Sequence, residues 1–360
     1  MTGPLRSYEP AELVHPGQTL IDWLDQVGMS QADFAKRTSL TPKHINQVAK
    51  GGAGISAEVA RAFETVTGIP ARYWLQLDVN YQTAFQRQTE AAGLAAHTDL
   101  LDLFPYKELV GRGVVDDVAP KIDRLRQLFR FFGVADRAAL LEVSLDPALY
   151  RLSKAFEPTA GALAAWVRLA ELKAAEIETE PFDMATCREA LSEIRALSQI
   201  PGVEWLEPLQ KLTAEVGIAL VIVKELKGCR VNGVTRWLTP DKAMVALSLR
   251  YRRNDIFWFT LFHELCHVLR HSKKEVFVDS KSSGIDRDLE DEADAFASRL
   301  LIAPADAARL ASLTTEEQVV AFAEEIGVAP GIVVGRMRFL GLIPQNRWAN
   351  LIDHFRFADD

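Results

Sequence analysis

Residues 262–271 read FHELCHVLRH, which places three of the chain's seven histidines and one glutamate inside an apolar run. On an α-helix, His263 and His267 lie four residues apart and project from one face, about 6 Å apart along the axis. That spacing lets two imidazoles share one ion. Glu264 follows the first histidine, and the resulting H-E-x-x-H pattern sets a carboxylate beside that ion, where it can take a proton from attacking water. The chemistry this suits is hydrolysis. Zinc fits because two neutral imidazoles and a carboxylate leave a fourth position open, so one Zn2+ per chain is expected. As ordinary core residues, two histidines and a glutamate would bury several polar atoms without partners, which is costly unless something binds them. His271 lies about 12 Å along the axis from His263, too far to hold the same ion. No glycine among Val268, Leu269 and Arg270 bends the chain toward it, so it reads as a structural or cleft-rim residue.

Working outward, GIALVIVKEL (217–226), VNGVTRWL (231–238) and KAMVALSL (242–249) are short runs rich in Val, Ile and Thr between turn residues, the pattern of strands. KAMVALSLR is expected to be the edge strand against which an extended substrate is held by main-chain hydrogen bonds. No residue stands out as an oxyanion stabiliser. After the histidine helix come a polar loop, KKEVFVDSKSSGIDRD (273–288), a helix from about Leu289 to Leu301 stopped by Pro304, and two further short helices.

Helical phase chooses among the acids of DLEDEADAFASRLLIAP (288–304). Ala293, Phe296, Ala297, Leu300 and Leu301 define an apolar face; Glu290 falls within it, Asp291 points away and Glu292 lies near its far edge. A carboxylate on a buried face needs a partner, so Glu290 is the expected third ligand. Asp294, one turn later, is placed to accept the free N–H of a ligand histidine.

Near the start of the chain the helices are shorter. Ser30 reads as an N-cap for a helix burying Phe34 and Ala35 and ending near Arg37. A second helix opens at Thr41 with Pro42 in its first position, buries Ile45 and Val48 and stops at Gly51. Two short helices with a tight turn make a helix-turn-helix. The second exposes Lys43, His44, Asn46, Gln47 and Lys50, which can reach base edges or phosphates, while Gln31, Lys36, Arg37 and the cap Thr41 complete the candidate DNA-binding set. A helical hairpin with a solvated polar face would look the same by pattern alone. Between these regions, from about Leu100 to Leu212, KIDRLRQLFRFFG and GALAAWVRLAELKAAEIE have helical spacing and carry no recognisable chemistry. Trp166, Trp205 and Trp237 are expected in the core rather than in a ligand cage.

At 360 residues, with 48% hydrophobic and 25% charged residues, the chain can build two or three cores. Its net charge of -8 argues against coating nucleic acid by bulk charge but leaves a local contact open. Cys187, Cys229 and Cys266 have no paired spacing, so no disulfide framework is implied and a reducing, cytoplasmic compartment is expected. No apolar stretch approaches the roughly 20 residues of a membrane span, and no secretion signal is visible.

HELCHVLRH followed by EDEADAFASRLLIAP resembles the ImmA/IrrE family of zinc metallopeptidases, in which a histidine-motif helix precedes an E-x-x-A-N-x-F-A helix ending near a proline. The resemblance implies that His263, His267 and Glu290 are the metal ligands and Glu264 the general base. Cys266 departs from the family's usual glycine, which leaves oxidation or metal binding by the thiol open, and Asp294 stands where asparagine is common. The stretch from HPGQTLIDWLDQVGMSQADFAKR through ISAEVARAFETVTGIPARYWLQLDVNYQ is similar to Cro/C1-type DNA-binding domains in the antitoxin-like form related to HigA. That likeness implies a homodimer on a double-stranded DNA operator. The middle region, with FPYKELVGRG, resembles what links such modules in bacterial regulator–peptidase fusions.

The expected architecture is multidomain and mainly α, with an α+β C-terminal part: a helix-turn-helix domain (1–85), a helical middle (86–212) and a zincin-like domain with a small sheet (213–360). The expected function is a bacterial transcription regulator whose zinc endopeptidase domain cleaves a regulatory protein such as a repressor. Two alternatives remain: an antitoxin-like autorepressor that binds a toxin, with the metal domain as scaffold or sensor, and a hydrolase of a small amide.

Overall fold

Among the described residues, five helices, each begun where the sequence supplies a cap or a proline, build the N-terminal unit. They are α1 (Pro16–Val27), α2 (Gln31–Thr38), α3 (Pro42–Ala49), α4 (Ala57–Thr67) and α5 (Ala71–Ala95). The caps use side-chain acceptors: Gly17 N–H donates to His15 Nδ1 at 2.8 Å, Asp33 N–H to Ser30 Oγ at 3.1 Å and His44 N–H to Thr41 Oγ1 at 3.1 Å. Each bond satisfies an amide that a helix start leaves without a partner. Ser39, at φ 57°, ends α2 in the left-handed region and turns the chain into α3. The apolar faces close over Leu20, Phe34, Ile45, Val48, Phe63 and Trp74, with Phe34–Phe63 and Phe63–Trp74 ring centres 5.1 and 5.2 Å apart.

The start of α1 passes so close to the end of α3 that a Cβ on Gly17 would lie 2.2 Å from Val48 O and 2.6 Å from Ala49 O. Both obstacles are backbone. Gly17→Ala is therefore expected to destabilise this unit by about 1–3 kcal/mol, the usual cost of overpacking a closed core. An unchanged melting transition in calorimetry of the full chain would show that the two helices separate freely.

The computed structural model describes residues 15–144, 158–272, 277–278 and 287–355. Close contacts divide the chain between His97 and Thr98. The domain boundary expected near residue 85 thus falls inside α5, whose helix continues to Ala95.

Beyond His97 come a 3-10 turn (Thr98–Leu103) and α6 (Tyr106–Gly111), α7 (Lys121–Phe132), α8 (Arg137–Ser144), α9 (Pro158–Ala175), α10 (Met184–Ala196) and α11 (Leu206–Glu215). Then follow β1 (Ile218–Ile222), β2 (Gly233–Thr239), β3 (Lys242–Leu247), α12 (Asn254–Arg270), β4 (Phe277–Val278), α13 (Arg287–Leu301), α14 (Pro304–Ala307), α15 (Glu316–Ile326) and α16 (Pro330–Phe339). The described sheet runs β1-β3-β2-β4; β3 is parallel to β1 and antiparallel to β2, and β2 is antiparallel to β4.

The expectation that KAMVALSLR forms the edge is corrected by this order. β3 is central, paired on one side through Ile218↔Ala243 and on the other through Val234↔Ala246. Its residues Ala243–Leu247 are all buried, which is the unbroken apolar run of a strand covered on both faces.

The helical middle leans on the sheet. Trp166 Nε1 donates to Val223 O at 3.0 Å, Arg112 Nη2 to Lys224 O at 2.7 Å, and Arg236 of β2 pairs with Glu171 of α9 at 2.6 Å. Trp166 and Trp205 are buried, while Trp237 is half-buried edge-on to Phe182 at 4.9 Å. One core joins α10, α11, the sheet, α12, α13, α15 and α16. No single described helix is long and apolar enough to cross a membrane; α15 and α16 reach that length only together, bent by 111°, and their Val319, Phe322, Val333 and Met337 are buried in this core.

Candidate metal centre and nucleic-acid interface

The helix α12 is a core helix rather than an amphipathic one, with nearly every residue from Phe257 to Leu269 buried. Polar groups on such a helix need partners from outside it. His263 and His267 are 2% and 1% exposed, one turn apart, and α13 packs alongside with Glu290. His263 Nε2 stands 3.0 Å from His267 Nε2, and the Glu290 carboxylate lies 3.2 Å from the first and 3.6 Å from the second. All three donor atoms fall within 4.8 Å of one another.

The partners of the two rings bear on which nitrogens can act as donors to an ion. His263 Nδ1 donates to Asp294 Oδ1 at 2.9 Å, so in the neutral ring it is Nε2 that presents a lone pair. Burial, and after it the neighbouring His263 and His271, push the His267 pKa down to about 2, so that ring is neutral. Two nitrogens about 3.3 Å apart are what a tetrahedral ion with bonds near 2.05 Å would hold. A cation at the convergence would turn the facing lone pairs and carboxylate from repelling neighbours into ligands. Two imidazoles and a carboxylate with one position open fit zinc by donor chemistry.

Glu264 lies against the sheet and is fully buried. The Thr235 hydroxyl donates to its Oε2 at 2.6 Å and lies 3.1 Å from its carbonyl oxygen. Gly233 makes room for the rest of the carboxylate, since a Cβ there would come within 2.4 Å of Glu264 Oε1. β2 thus fixes the glutamate's orientation beside the two histidines. Cys266, by contrast, is wholly buried, and burial pushes its thiol up to about 12, so it is a packing thiol and not a thiolate. His271 stays out of the converging set; its Nδ1 contacts His267 Nδ1 at 2.7 Å, on the far side of that ring.

In the N-terminal unit, Lys43, Asn46, Gln47 and Lys50 are exposed at the spacing that shares one face of α3 and its cap. Lys36, Arg37 and Thr41 are exposed too, although Thr41 Oγ1 is already the cap acceptor and Lys36 lies 3.6 Å from Asp33. Gln31 and His44 are half-buried, and His44 Nε2 is withdrawn from solvent, so His44 stands apart from the outer face of α3.

Residues 245–338 match the model of the peptidase M78 family, described as the IrrE N-terminal-like domain, and residues 20–74 match a helix-turn-helix model. The chain carries both domains in one polypeptide. The IrrE N-terminal-like span runs from β3 to α16 and holds His263, Glu264, His267, Glu290 and Asp294; the helix-turn-helix span runs from α1 to α5. Among solved structures, an antidote protein of a plasmid maintenance system from Nostoc punctiforme is 26% identical over 21% of this chain and 84% of its own, with a TM-score of 0.21. No curated protein matches the chain.

Three residues around the donor set were not singled out by sequence reasoning: Thr235 and Gly233 of β2, which shape the seat of Glu264, and His271 as the partner of His267. Gly233 had left a signal, because a glycine inside a strand pattern marks close approach by another group. His271 continues the four-residue spacing of His263 and His267. Thr235 left none.

Proposed function

We propose that this chain is a DNA-binding transcription regulator whose IrrE N-terminal-like domain is a zinc-dependent endopeptidase acting on a regulatory protein. The observation that carries the reading is the meeting of His263 Nε2, His267 Nε2 and the Glu290 carboxylate beside the buried, oriented Glu264. A zinc ion held there supplies Lewis acidity toward a peptide carbonyl and toward water. Glu264, with Oε2 occupied by the Thr235 hydroxyl, takes a proton at Oε1 from the attacking water and passes it to the leaving amine. Asp294 holds the His263 proton on Nδ1 throughout, which keeps Nε2 available as a donor.

The test is to incubate the purified, zinc-supplied full chain with candidate repressors and with a second copy of itself. New fragments that vanish in Glu264→Gln support the reading; their absence across substrates, with zinc bound, counts against a peptidase.

The helix-turn-helix domain is proposed to bind operator DNA as a homodimer through Lys43, Asn46, Gln47 and Lys50, with Gln31, Lys36, Arg37, Thr41 and His44 around them. Lys43→Ala and Lys50→Ala are each expected to weaken binding to all sequences alike and to lower the salt slope by about one. Gln47→Ala is expected to lose about 1–3 kcal/mol only on the cognate operator. Salt-titrated binding isotherms on cognate and scrambled duplexes separate the two effects, and a Gln47→Ala loss equal on both duplexes would remove Gln47 from base recognition.

A further inference from the structure

We propose that His271 is a positioning residue for His267, fixing the tautomer in which His267 can hold a metal ion. The inference rests on the zinc reading of the three-donor site. The helix α12 ends at Arg270, and His271 leaves it in extended backbone, φ -106° and ψ 169°, while its N–H still closes on His267 O at 3.2 Å. This exit folds the imidazole back along the helix, where its side chain is 2% exposed and its Nδ1 sits 2.7 Å from His267 Nδ1.

One proton lies between those two nitrogens. If it belongs to His267, that ring presents a lone pair at Nε2, toward His263 Nε2 and Glu290. If it belongs to His271, His267 carries its own proton on Nε2, pointing at the place an ion must occupy, and it cannot ligate. The far side of His271 decides between them. Its Nε2 is 3.6 Å from Glu292 Oε2, and a carboxylate there favours N–H at Nε2, which leaves Nδ1 as an acceptor. Glu292 is itself held by Arg270 Nη1 at 2.6 Å.

The two ligands are thus supported differently. His263 is oriented by a carboxylate directly, through Asp294, and His267 by a carboxylate acting through one further imidazole. Arg270, Glu292 and His271 therefore form a chain that ends on a metal donor without any of them touching the ion.

The experiment measures zinc affinity of the full chain by competition with a chromophoric chelator, for wild type, His271→Leu, His271→Asn and Glu292→Ala. Leucine, which offers no acceptor, is expected to weaken zinc about 10- to 100-fold, the usual cost of losing such an outer partner. Asparagine, whose side-chain oxygen sits near the place of Nδ1, is expected to restore most of the affinity, and Glu292→Ala to fall between. In the zinc-free chain labelled with 15N-histidine, the His267 Nδ1–H signal should persist in wild type and the asparagine variant and disappear in the leucine variant. Leucine binding zinc as tightly as wild type, or asparagine binding as weakly as leucine, would overturn the proposal. Should the leucine variant fail to fold by circular dichroism, an asparagine variant weakened tenfold or an unaffected Glu292→Ala overturns it instead. A wild type that takes up no zinc defeats the underlying reading, and the nitrogen spectra then still report which ring holds the proton.

Discussion

Glu264→Gln is expected to bind zinc as wild type does and to lose cleavage by about 10²- to 10⁴-fold, the share that a positioned general base contributes. The separation follows from the geometry. Glu264 is not one of the three converging donors, so removing its charge leaves the ligand set whole. Glutamine has the same shape, and its side chain can still pair with the Thr235 hydroxyl that lies 2.6 Å from Oε2. The space opened by Gly233 is unchanged as well. Only the capacity to accept a proton is lost. Metal content by mass spectrometry and fragment release from the identified substrate, measured on one preparation, decide the matter: cleavage that survives the substitution would assign the base to another group.

What could be read in the sequence was what helical periodicity carries. The pairing of His263 with His267, the choice of Glu290 by phase and the place of Asp294 all depend on residues within one or two helices, where about 100° per residue fixes direction. The corresponding contacts are 3.0, 3.2 and 2.9 Å in the folded chain. The caps Ser30 and Thr41 were legible for the same reason, because a side-chain acceptor acts three residues away.

What could not be read depends on pairing between distant segments. The place of Lys242–Leu247 in the middle of the sheet is set by its partners β1 and β2, and a buried apolar run of that length is compatible with several strand orders. The contact of Thr235 with Glu264 spans 29 residues and two element types. His44 shows the limit even on a helix, since it lies beside exposed Lys43 yet its ring turns to the half-buried side. Helical spacing along the axis set His271 apart from the His263, His267 and Glu290 donors, but it could not show the extended exit that brings its ring onto His267.

Glu290→Ala and His263→Ala are expected to lose zinc by about 10³-fold or more, since structural zinc binding worth roughly 10–16 kcal/mol is divided among only a few ligands. Cleavage should fall with it, in contrast to Glu264→Gln. The fold should survive, and this distinguishes the site from a small zinc-dependent module that is unfolded without metal. Here α12 is fixed by Phe257, Trp258, Leu261, Phe262, Leu265 and Leu269 against a core that reaches from Cys187 to Phe355, none of which depends on an ion. With both rings neutral, as ligation requires, the Glu290 carboxylate faces two histidine nitrogens at 3.2 and 3.6 Å in the zinc-free state, so its removal takes away a repulsive neighbour and no core contact. The melting temperature of zinc-free Glu290→Ala should therefore equal or exceed that of zinc-free wild type. A marked drop would mean that Glu290 holds α12 to α13 by itself, through a histidine proton, and that the convergence of donors serves the fold before it serves a metal.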